Sequence, residues 1–225
     1  MPAMMLRRAV LLALLAALLL GIAGGAAFHE GRAADYDDLA LALSWSPTYC
    51  ASQAGRDDGS QCAPGRRHGF TVHGLWPQYE QGWPEYCASE EGFVADAVIA
   101  QMRDVMPSKS LVIHEWKRHG TCSGLTPRGY FAATRALFAK LRIPARYIAP
   151  ETAIVIGPAE LAADFLSTNP WLSPGMISVR CASESDAARL GEVIFCFTRA
   201  FEPRRCGGNR HRRCAAPQLT LPPVR

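Results

Sequence analysis

The sequence predicts an α+β fold, because segments with strand periodicity and segments with helical periodicity occupy separate stretches instead of alternating strictly. Hydrophobic residues make up 49% of the 225, enough for a single domain with a substantial core. The eight cysteines form an even set, and none belongs to a CxxC pair. That usage points to an exported, disulfide-bonded chain and away from zinc ribbons and thioredoxin-like redox motifs.

The amino terminus carries Arg7 and Arg8, then an apolar run from Ala9 to about Ala23, then small residues. This is the pattern of a secretory signal over residues 1–27, with cleavage as late as Ala34 the second choice. A retained signal anchor is the competing reading, because the run approaches the length that can span a bilayer. Residues 35–225 are then one domain ending in a basic, Pro-rich tail. The net charge of +4 falls to +2 if the signal is removed, too mild by itself to demand a polyanion.

Residues 37–45 alternate Leu39, Leu41, Leu43 and Trp45 with Asp38, Ala40, Ala42 and Ser44, predicting a half-buried strand. Residues 46–67, rich in Gly, Pro, Ser, Asp and Arg, read as a surface loop stapled by Cys50 and Cys62. In residues 69–77, GFTVHGLWP, Phe70 and Val72 continue a strand pattern, Gly74 permits close backbone approach, and Pro77 ends the element.

Helical spacing of Val94, Val98, Met102 and Val105 predicts a helix over 91–106, stopped by Pro107. A second helix is predicted over 127–142, with Pro127 at its start and Tyr130, Phe131, Thr134, Leu137, Phe138 and Leu141 inward. Residues 154–156 suit a short strand or a loop, and 158–167 a helix closed by Asn169 and Pro170. Residues 176–181 and 192–201, rich in Val, Ile and Phe, suit two sheet strands. Beyond Pro203, Arg204, Arg205, Arg210, Arg212 and Arg213 surround two cysteines, predicting a solvated, disulfide-tied terminus in preference to a nucleic-acid patch. There is no Asn-x-Ser/Thr sequon.

The densest chemistry lies in residues 114–122, HEWKRHGTC. On a helix over 111–119, about 100° per residue puts Glu115 and His119 on one face and His114 about 140° from His119. A zinc clip of the HExxH type needs its histidines at i and i+4; here they stand at i and i+5, which disfavours a metal hydrolase. What remains is a carboxylate, two imidazoles and two cations, a set suited to proton transfer beside a charged centre. The ordinary alternative is a charged helix with one buried histidine.

Taken together, FTVHGLWP at 70–77 and HEWKRHGTC at 114–122 closely resemble the two active-site segments of the T2 family of ribonucleases. The resemblance runs from about Leu39 to Cys214. It implies helices packed on a central, mainly antiparallel sheet. It also implies metal-independent, cofactor-free cleavage of single-stranded RNA through a 2′,3′-cyclic phosphate, followed by slower hydrolysis to 3′-phosphates, with broad base preference. By the same resemblance His119 is the general base and His73 the general acid of the first step. Glu115 and Arg118 support the transition state, His114 holds phosphate, and Trp76 stacks on a base. Gln78, Tyr79, Trp83 and Tyr86 are candidate base contacts.

The family pattern has lysine where this chain has Arg118. Arginine keeps the charge but differs in geometry, while Lys117 points about 100° away. Sequence arithmetic leaves about a hundred disulfide pairings open. The resemblance implies Cys50 with Cys62, Cys87 with Cys122, Cys181 with Cys214 and Cys196 with Cys206. The expected molecule is a secreted or periplasmic monomer without stable membrane association after signal removal. The alternative is a T2-fold RNA-binding or signalling protein with weakened catalysis.

Overall fold

The computed structural model describes residues 35–182, 188–207 and 213–225. The expected signal, and Arg210 and Arg212 of the basic tail, lie outside the described residues. A four-stranded antiparallel sheet organises the chain: β1 (Asp38–Trp45), β2 (Phe70–Gln78), β4 (Ile177–Cys181) and β5 (Leu190–Thr198), in the order β2-β1-β5-β4. A separate antiparallel pair joins β3 (Ile154–Ile156) to β6 (Leu219–Leu221). With the helices below, this is the α+β arrangement that the sequence predicts.

β1 is buried on both faces, which corrects the half-buried expectation. Each face packs on its own cluster of buried side chains. Leu39, Leu41, Leu43 and Trp45 enter the main core with Val72, Leu75, Phe195 and Phe197. Ala40 and Ala42 face the other way, in a small cluster with Trp76, Ile194 and Cys196. Burying each large apolar side chain contributes about 1.5–3 kcal/mol, so the main-core face dominates stability. The smaller face is left thin, and it carries the chemistry.

Residues 46–67 are not an open loop. They form three short helices, α1 (Ser46–Cys50), α2 (Gln53–Arg56) and α3 (Gly59–Cys62), bridged by Cys50–Cys62. The Ser52 and Asp58 side chains accept backbone N–H groups at the starts of α2 and α3, so the residues that read as loop formers serve as caps. The helix expected over 91–106 is confined to α4 (Asp96–Met102), although Val94 and Val105 are buried beside it. α5 (Lys109–Arg118) packs against β2, α6 (Pro127–Lys140) places Tyr130, Phe131 and Leu137 in the core, and α7 (Pro158–Thr168) adds Leu161 and Phe165.

Pro77 does not end β2, which runs on to Gln78; β2 is an edge strand, where a missing N–H is tolerated. The tail is no solvated terminus. Leu219, Leu221 and Val224 are buried, and the Trp45 indole N–H donates to the Pro222 carbonyl at 3.0 Å. Besides Cys50–Cys62, the structure bonds Cys87–Cys122, Cys181–Cys214 and Cys196–Cys206.

Candidate active site

The site begins with an irregularity in β2. Ala42 pairs with Gly74 and Leu43 with Val72, leaving His73 as the extra residue of a β-bulge. The bulge lets Val72 and Leu75 both enter the main core while His73 and Trp76 come together on the thin face, their rings 5.1 Å apart and edge to face. Gly74 beside it has no spare room. A Cβ there would sit 1.9 Å from Glu115 Oε2 and 2.6 Å from Trp76 Nε1, so only glycine lets the carboxylate of α5 rest on the strand backbone.

Glu115 is 1% exposed. Its Oε2 accepts the Trp76 indole N–H at 2.8 Å, and its Oε1 lies 3.6 Å from His73 Nε2. Burial pushes its pKa up to about 7, against the opposing pull of His73 and the Trp76 hydrogen bond. α5 ends at Arg118, one residue short of the expected helix, and His119 caps it with non-helical backbone angles. Its N–H still donates to the Glu115 carbonyl at 3.0 Å, and its ring stands 5.6 Å from Trp76. Thus both histidine rings contact Trp76.

The histidines sit in opposite electrostatic settings. His119 is 7% exposed, and its Nδ1 is buried without a hydrogen-bond partner. Burial, reinforced by the charges of Arg118, His73 and His114, pulls its pKa down to about 3. His73 is also pushed down by burial, but a hydrogen bond and charge from Glu192 and the charge of Glu115 outweigh this and raise it above the ordinary imidazole value. His119 is thus held neutral and free to accept a proton at neutral pH, while His73 holds its proton more tightly than an ordinary imidazole.

Glu192 went unrecognised in the sequence. Its Oε1 accepts from His73 Nδ1 at 2.5 Å, and its Oε2 accepts from Arg180 at 3.0 Å. Glu192 lies on β5 and Arg180 on β4, paired in register. The available signal was a lone acid in an otherwise apolar strand, LGEVIFCFT.

Arg118 comes to the site's edge but is not free. Its guanidinium pairs with Glu85 at 2.9 Å and lies 6.0 Å over the Tyr86 ring. His114 is exposed, with its pKa pushed down by partial burial and by Arg118 and His73. Lys117 is solvent-facing. Of the expected base contacts, Trp76 is 9% exposed, with its indole N–H donating to Glu115 at the ring edge. Gln78 is buried, its amide N–H donating to the Pro77 carbonyl at 2.9 Å. Tyr79 is half-buried against the core. The open aromatic faces near the site belong instead to Trp83, 47% exposed, and Tyr86, 59% exposed. Cys87–Cys122 and the hydrogen bond from Tyr86 N–H to the Arg118 carbonyl tie this loop to the end of α5.

Known proteins of one family resemble this chain in sequence and fold. A family model described as "Ribonuclease T2 family" matches residues 36–206. A ribonuclease of Aeromonas hydrophila is 40% identical over 117 residues, 52% of each chain. A probable ribonuclease of Haemophilus influenzae is 32% identical over 51% of this chain and 47% of its own. The chain thus spans about half the length of these curated relatives. Ribonuclease I of Escherichia coli is 24% identical over 76% of this chain and 78% of its own. Among solved structures, an RNase-related protein from Calystegia sepium superposes with a TM-score of 0.65 at 22% identity, covering 84% of this chain and 98% of that one. RNase NT, solved in complex with 5′-AMP, gives 0.65 at 22% identity, covering 84% and 99%.

Proposed function

We propose that this chain, which belongs to the ribonuclease T2 family, is an exported endoribonuclease that cleaves single-stranded RNA by attack of the ribose 2′-OH on the adjacent phosphorus. The observation that carries this reading is the pair of histidines with opposed pKa shifts, His119 low and His73 high, both in ring contact with Trp76. His119 takes the 2′-OH proton as the 2′-oxygen bonds to phosphorus. His73 gives its proton to the departing 5′-oxygen, leaving a 2′,3′-cyclic phosphate and a 5′-hydroxyl. The roles then reverse as water opens the ring to a 3′-phosphate. Arg118 and His114 supply donors to the phosphoryl oxygens, and Glu115, its pKa pushed up to about 7, can do so in its protonated form. DNA lacks the nucleophile and is not cut. Open aromatic faces on Trp83 and Tyr86 suit stacking on any base, which supports broad base preference. The disulfides fit an oxidising compartment, periplasmic or extracellular.

Oxidised protein mixed with single-stranded RNA in excess EDTA should cleave it and leave cyclic phosphate ends. Loss of cleavage in EDTA, with recovery on adding a divalent metal, would overturn this mechanism.

A bell-shaped pH dependence of kcat/KM is also expected. Below the acid limb His119 carries a proton and cannot accept another, and its depressed pKa places that limb well under pH 6. Above the alkaline limb His73 has lost the proton it must donate, and its raised pKa places that limb above the ordinary imidazole range. Glu192→Gln removes the charge that holds the His73 proton, so the alkaline limb should move to lower pH while the acid limb stays. An alkaline limb unmoved by Glu192→Gln would refute the role given to His73.

A further inference from the structure

A cleft of about 600 Å³ opens beside the Cys50–Cys62 bridge. Arg66, Arg67, Arg189 and Arg225 line it together with His68, and among the described residues no Asp or Glu side chain does. Those four arginines are exposed, and none forms an ion pair within the described residues. Exposed arginines elsewhere are either paired, as Arg135 is with Asp104 and Arg146 with Asp164, or dispersed; what sets these four apart is that they share one concavity. A set of guanidinium groups around one concavity, with no acid lining it among the described residues, suits an anion, because like charges held close gain from a shared counter-charge.

The cleft wall is joined to the strand that carries His73. Gln61, which lines the cleft, donates its amide to Ser46 Oγ at 3.0 Å and to Thr71 Oγ1 of β2 at 3.3 Å.

We propose that this cleft is a second RNA-binding site that holds backbone phosphates of the substrate beyond the two nucleotides at the scissile bond. The inference rests on the ribonuclease reading and adds to it a preference for longer strands. Arginine forks recognise phosphate oxygens in pairs, and such recognition carries no base information, so the site strengthens binding without narrowing sequence preference.

The test compares wild-type protein with the triple variant Arg66→Gln, Arg67→Gln, Arg189→Gln on a dinucleoside monophosphate and on an unstructured 12-nucleotide RNA over a range of salt. For the variant, kcat/KM on the dinucleotide should stay within about twofold of wild type, and KM on the 12-mer should rise about tenfold at low salt. The slope of log KM against log salt should flatten by about 0.7 for each phosphate that the variant no longer neutralises. The corresponding triple lysine variant, which keeps the charge, should retain most of the slope. An unchanged 12-mer KM and slope, or equal weakening of both substrates, would overturn the proposal. If wild type cleaves neither substrate, the ribonuclease reading fails separately. Binding of an uncleavable 2′-O-methyl 12-mer then decides the cleft, with the same flattened slope expected for the triple glutamine variant and an unaltered slope counting against it.

Discussion

His119→Ala should lower kcat/KM for RNA by about three to four orders of magnitude, the upper range for loss of a positioned general base. The folded structure should survive, because the imidazole is neutral and its buried Nδ1 has no partner to leave stranded. The same substitution should change acid stability. With a folded pKa near 3 and an ordinary unfolded value, the unfolded chain binds the extra proton between about pH 6.5 and pH 3. Stability of the wild type is therefore lost as pH falls through that window, by up to several kcal/mol, and His119→Ala removes this contribution. Denaturant titrations at pH 7 and pH 4 check the sign: the variant should lose less stability than wild type on acidification. Equal losses would mean that His119 is not held neutral by its surroundings.

Gly74→Ala is the second large effect, and it acts without replacing a titratable residue. The new methyl would stand 1.9 Å from Glu115 Oε2, so the carboxylate must leave the strand, and its hydrogen bond from Trp76 goes with it. Overpacking of this kind costs about 1–3 kcal/mol of stability. The displaced carboxylate should lower kcat/KM about a hundredfold. A double-mutant cycle isolates the cause: in a Glu115→Ala background, Gly74→Ala should cost much less than in wild type. Additive losses would place the damage elsewhere in β2.

Local chemistry was legible where neighbours in sequence are neighbours in space. His114, Glu115, Arg118 and His119 follow one another at the end of one helix, and His73, Gly74 and Trp76 on one strand, so each set forms a short motif, and it is the resemblance of the two motifs to the family's segments that picks them out. Glu192 was not legible, because it reaches His73 across 119 positions of sequence and only sheet register brings them together. The helix expected over 91–106 contracted to seven residues because buried Val94 and Val105 pack equally well from irregular backbone. The hydrogen bond from the Trp76 indole N–H to Glu115 was equally out of reach, since nothing in FTVHGLWP says that the carboxylate of α5 meets that ring edge.

By itself, then, the sequence determined the α+β class, the reactive groups and the glycine that gives them room, all of which depend on residue type and short-range periodicity. The tertiary structure alone decided that β1 is covered on both faces, that the tail is packed, and which histidine is held neutral. Burial and the charges of distant strands set protonation, and these exist only once β5 and α5 are brought against β2 and its neighbours.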